Sequence, residues 1–149
     1  MDIVQELNRC LRSELSSIET YEQALEKQRG NYGKEPSFQR LTQIMTDHHD
    51  AAEKLRTLIR SHGGTPDESS GAWGTWSQTV MGAAKLFGDK AALKALKEGE
   101  ESGLKEYRSI TEHADASADV KSTLAPLVSR QQEHIRELDR MMDAVSASA

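Results

Sequence analysis

Two stretches of the same design decide the fold: residues 7–21, LNRCLRSELSSIETY, and residues 93–107, LKALKEGEESGLKEY. Laid over each other, Leu7 falls on Leu93, Cys10 on Leu96, Glu14 on Glu100, Ser17 on Gly103, Ile18 on Leu104 and Tyr21 on Tyr107. The apolar positions recur at three- and four-residue intervals, which is the period of one helix face. In both stretches a glutamate interrupts that face seven residues before a tyrosine. Seven residues is two helical turns, so each glutamate and its tyrosine lie on the same, core-directed side.

A second pair of segments repeats the pattern. Leu41 falls on Leu124, Ile44 on Leu127, His48 on Gln131, Ala51 on His134, Ala52 on Ile135, Leu55 on Leu138 and Ile59 on Met142. Leucine-rich helices align by chance, so the weight of this internal repeat falls on the polar interruptions at matching depth. The two pairs predict four long helices, over about 2–28, 37–62, 90–113 and 118–145, in a single domain 1–149. Gly30, Gly33 and Pro36 mark the first loop, Gly63-Gly64 stop the second helix, and Asp115 to Ser117 begin the last connection. Pro126 falls inside the fourth helix, where a kink or a restart just before it is expected.

The connections set the topology. Short loops make the first and second helices antiparallel, and likewise the third and fourth. The long stretch between the second and third helices can climb the bundle and let those two run parallel. A short crossover helix is expected over about 72–87, with Trp73, Trp76, Val80, Ala84 and Phe87 on its packed face. The expected fold is all-α, a four-helix bundle of two antiparallel hairpins joined by one long crossover.

Composition narrows the function. A net charge of −5 and a pI near 5.6 argue against a general nucleic-acid binder, which needs a basic face. No apolar run is long enough to span a membrane, and the N-terminal segment is broken by charges, so a cytoplasmic location is expected. Cys10, the single cysteine, lies among apolar residues and reads as a small buried hydrophobe.

The chemistry is concentrated at mid-helix. Glu14, His48, Glu100, Gln131 and His134 all interrupt apolar stripes at similar depth, with Tyr21 and Tyr107 a turn or two away. Buried carboxylates cost several kcal/mol each unless paired, protonated or metal-bound. Two readings stay open on these residues. They form a polar network satisfied by its own hydrogen bonds and by water, or they hold a divalent metal such as iron, manganese or zinc.

The spacing of Glu14 and Tyr21 resembles the first helix of the rubrerythrins, within the ferritin-like superfamily. In that family each hairpin carries one helix with an inward glutamate and one with Glu-x-x-His. By this resemblance Glu14 and Glu100 match the single glutamates, and Gln131-x-x-His134 matches the motif with Gln replacing Glu. The second helix departs from it, with His48 where the glutamate belongs and Ala51 where the histidine belongs. Through residues 11–21, 47–55, 70–74 and 96–107 the chain is also similar to small bacterial ferritin-like proteins of unknown function. The resemblance implies a ferritin-like bundle with a degenerate di-metal-type site, linked to iron or oxidant handling. The alternative is a non-enzymatic bundle with a vestigial polar core, used for oligomerisation or partner binding. A homo-oligomer, a dimer first, is the expected assembly.

Overall fold

The structure, a computed structural model, describes residues 1–32, 36–70 and 90–148. Four helices account for most of them: α1 (Ile3–Tyr32), α2 (Pro36–Ser61), α3 (Lys90–Thr111) and α4 (Ala118–Ser148). The expected crossover helix, with its two tryptophans, lies outside the described residues.

Local sequence explains the ends. Asp2 caps α1, its carboxylate accepting from Gln5 N at 3.2 Å. Pro36 opens α2, where a missing N–H costs nothing. Gly63 closes α2 at φ 79°, and the amides of Gly63 and Gly64 reach back to Arg60 O and Ile59 O, both at 3.0 Å. This left-handed turn needs a residue without a Cβ.

Two expectations are corrected. The first loop does not begin at Arg29, because α1 continues across Gly30 to Tyr32. One glycine inside a helix costs about 1 kcal/mol, which a helix already well anchored absorbs. Nor does α4 restart before Pro126; it runs through that residue as one helix. Pro126 and Ser122 are both exposed, so the point where the helix lacks one amide donor lies on its solvent side.

The core is built in three tiers. One apolar cluster joins Leu7 and Leu11 of α1, Leu55 and Ile59 of α2, Ile110 of α3 and Leu124 of α4. The other joins Leu25, Phe38, Leu96 and Leu138 from the opposite halves of the same helices. The N-terminal half of α1 therefore lies level with the C-terminal halves of α2 and α3 and the N-terminal half of α4. It follows that α2 and α3 run parallel, each antiparallel to both of its packed neighbours, α1 and α4. The chain leaving α2 must return to the far end of the bundle.

Its first residues show the climb. Asn8 Nδ2 donates to Thr65 O at 3.1 Å, Asp67 N donates to Asn8 Oδ1 at 2.8 Å, Arg12 pairs with Asp67, and Ser70 Oγ donates to Glu19 Oε2 at 3.1 Å. Residues 65–70 thus ascend α1 from Asn8 to Glu19, roughly 16 Å at the helical rise. Among the described residues no helix is long and apolar enough to cross a membrane.

The climb starts from a close approach. A Cβ on Gly64 would stand 2.5 Å from Val4 Cγ1. Gly64→Ala is expected to destabilise the protein by about 1–3 kcal/mol through overpacking, read as a lower urea midpoint at unchanged slope. Val4→Ala in the same chain should relieve most of that loss. Strictly additive effects would show that the contact is not the reason for glycine.

Candidate metal centre

Between the two apolar clusters lies a layer of buried polar side chains contributed by every helix. Glu14 comes from α1, His48 from α2, Glu100 from α3, and Gln131 and His134 from α4, all nearly inaccessible to solvent. Each replaces an apolar residue on its helix's inner stripe, so the helical period itself carries it to the bundle axis.

His48 is the hub. Its Nδ1 lies 2.5 Å from Glu14 Oε2 and its Nε2 lies 2.6 Å from Glu100 Oε1. An ionised carboxylate only accepts, so a ring bonded to one on each side donates from both nitrogens. His48 is therefore an imidazolium held between two carboxylates. Burial alone would push its pKa down, but the attraction of Glu100 and Glu14 overcomes that and holds it well above the usual imidazole range. Burial likewise works to raise Glu100, and the attraction of the His48 cation holds it far below the usual carboxylate range. The net result is one buried cation shared by two buried anions.

The tyrosines complete the carboxylates across the bundle rather than along their own helices. Tyr21 of α1 donates to Glu100 Oε1 of α3 at 2.8 Å, and Tyr107 of α3 donates to Glu14 Oε1 of α1. Burial first, then the facing glutamate, raises both phenols well above their ordinary values, so they stay protonated as donors. The Tyr21 ring also stacks on His48, with centroids 5.6 Å apart and planes 25° from parallel. That places a π face against the imidazolium.

His134 and Gln131 behave differently from each other. The Gln131 amide turns away from the carboxylates and donates to the backbone oxygen of Glu100 at 3.0 Å. Gly103 admits it, since a Cβ there would stand 2.8 Å from Gln131 Nε2. His134 Nδ1 faces Glu100 Oε2 at 3.4 Å, and neither of these buried atoms makes a hydrogen bond. His48, Glu100 and His134 each offer one ligand atom, all within 4.8 Å of one another. Two imidazoles and a carboxylate are a donor set that suits zinc, iron or manganese. The orphaned pair of atoms is where those residues fit an ion.

Helical period alone does not single out two contributors to the layer. Asp47 lies off the apolar stripe of α2, yet its Oδ2 lies 2.9 Å from His134 Nε2. Arg130, one turn before His134, reaches back to the Asp47 backbone oxygen at 3.3 Å and to Asp50 Oδ2 at 2.9 Å. The available signal was Asp47's place next to an inward histidine, on the flank that meets α4.

The class of protein defined here is an all-α four-helix bundle with a charged, hydrogen-bonded layer at mid-height. Residues 2–113 match the family described as a domain of unknown function (DUF2383), and the chain belongs to it. The match covers α1 to α3, including Glu14, His48 and Glu100; Gln131 and His134 lie beyond it. No curated protein matches the chain.

Two predictions follow from the hub. His48→Leu leaves both carboxylates without their cation and is expected to cost about 3–5 kcal/mol, whereas replacing Glu14, His48 and Glu100 together by Leu is expected to be neutral or stabilising by about 1–4 kcal/mol. Chemical denaturation of the two variants checks this. The second concerns pH. The raised His48 contributes stability fully below about pH 6.5 and loses it as pH rises through its folded value. The depressed Glu100 contributes fully above about pH 4.3 and loses it on acidification. Melting temperature should therefore peak between those limits. The scan belongs in a Glu106→Gln background, because Glu106, raised by burial to about 7, subtracts stability over the same range. Gln at positions 14, 48 and 100 together should flatten the peak.

Proposed function

We propose that this protein is a metal-binding helical bundle whose core is a reduced, single-ion version of the di-metal centre of ferritin-like proteins. The observation that carries the reading is the facing pair Glu100 Oε2 and His134 Nδ1, 3.4 Å apart, both buried and neither hydrogen-bonded. A polar network built only for structure satisfies its members. Here the satisfied side, Glu14 with His48 and Tyr107, lies beside an unsatisfied one.

The reading assigns each residue a task. Glu100 and His134 would hold the ion, and His48 would add a third ligand atom only as the neutral ring, with its Nε2 proton released to solvent. Glu14, itself held by Tyr107, anchors the opposite edge of the His48 ring. Ala51, buried on α2 where a second ligand would project, has no donor to offer, which supports one ion rather than two. A bound iron or manganese supplies one-electron chemistry, and a bound zinc supplies charge alone.

One observation favours a second reading. Both nitrogens of His48 are already taken by carboxylates, so the Glu14–His48–Glu100 chain is closed without any ion. On that reading the bundle is non-enzymatic, and its outer faces serve assembly or partner binding.

Metal titration separates the two. Zinc, manganese and anaerobic ferrous iron are added to chelator-treated protein, with heat of binding and thermal melting recorded. One equivalent of ion is expected, with stabilisation of about 2.7 kcal/mol at a hundredfold excess over Kd. His134→Ala and Glu100→Gln should abolish the shift. Because His48 releases a proton on binding, affinity should rise by up to about tenfold per pH unit between pH 6 and 8. Unchanged melting with all three ions would establish the second reading.

A further inference from the structure

The geometry points to Asp47 as a positioning residue of this centre: by accepting from His134 Nε2 it commits Nδ1 to the side of Glu100. The purpose of that arrangement rests on the metal reading above; the arrangement itself does not.

Asp47 Oδ2 lies 2.9 Å from His134 Nε2, and the opposite ring nitrogen faces Glu100 Oε2. A carboxylate at Nε2 accepts its proton, fixes the ring's orientation and leaves Nδ1 as the nitrogen for an ion; metal-binding histidines are held this way. Asp47 is itself clamped. Arg130 bonds its backbone oxygen at 3.3 Å, stands 4.0 Å from its Oδ1, and is fixed from the other side by Asp50 at 2.9 Å. The clamp joins α2 to α4, the two helices whose spacing sets how far His134 reaches.

The choice of aspartate over asparagine matters. With Oδ1 facing Arg130, an asparagine keeps its oxygen toward the guanidinium and turns its NH2 toward His134. Nε2 must then accept, the ring proton moves to Nδ1, and Nδ1–H points at Glu100 Oε2. That hydrogen bond closes the position where the ion would enter. Asp47 is 20% exposed, so the substitution buries no new unpaired charge and the fold should tolerate it.

The test has a metal-free arm and a metal arm. In the chelator-treated protein, long-range 15N correlation spectra of the histidine rings should show His134 Nε2 protonated in the wild type and bare in Asp47→Asn. Zinc titration should show affinity about 10–100-fold weaker in Asp47→Asn. Asp50→Asn touches the clamp but not His134, and should stay within about twofold of wild type. Nε2 protonated in both proteins, or bare in the wild type, overturns the assignment of Asp47. So does wild-type zinc affinity in Asp47→Asn. If the nitrogen shifts appear as stated while the wild type takes no zinc, Asp47 positions His134 as proposed and the metal reading alone fails.

Discussion

Two ionised carboxylates buried at the centre of a helical bundle must find positive charge or the bundle cannot form around them. His48 supplies it. Its two nitrogens reach Glu14 on one neighbouring helix and Glu100 across the bundle axis, so α1, α2 and α3 must keep their axial register to within a fraction of a turn. Tyr21 and Tyr107 can serve the carboxylates only from that same register, since each spans from its own helix to the other's glutamate. The apolar tiers above and below provide the driving force for collapse. The polar layer decides which of many collapsed arrangements keeps every charge paired.

Such a layer is not an economical way to stabilise a protein. Taking one imidazolium and two carboxylates out of water costs several kcal/mol per ion, and apolar residues of similar volume would pack at least as well. The layer also has an uneven finish. The Glu14 side is complete, while on the other side Glu100 Oε2 and His134 Nδ1 face each other at 3.4 Å without a hydrogen bond. An expensive network with a single open seam is better explained by something it binds than by stability. That asymmetry, rather than membership of a family with no assigned function, supports the proposed role.

Much of the fold was legible in the residues. Leu7, Leu11, Leu96 and Leu124 report helical period directly, and all are buried. The Gly63-Gly64 stop and the long interval before Lys90 imply the parallel course of α2 and α3, and the ascent of residues 65–70 along α1 agrees. Helix ends were less legible, because whether Gly30 breaks a helix depends on tertiary anchoring that no local propensity contains. At the site, the inward places of Glu14, His48, Glu100 and His134 follow from stripe position alone. Which atom meets which does not. Each tyrosine meets the glutamate of the facing helix, because adjacent antiparallel helices bring Tyr21 level with Glu100 and Tyr107 level with Glu14. Gln131 shares the stripe yet spends its amide on a backbone carbonyl that Gly103 leaves open. Asp47 escapes any stripe-based reading because it reaches His134 from the helix flank.

The central claim is that the seam between Glu100 and His134 holds one divalent ion. Diffraction at the absorption edge of zinc, from crystals grown with one equivalent of the metal, tests it most directly. The account predicts a single anomalous peak in the bundle core, in contact with Glu100 Oε2 and His134 Nδ1. A core without a peak, or two peaks bridged by Glu14 and Glu100 in the manner of a full di-metal centre, would contradict it.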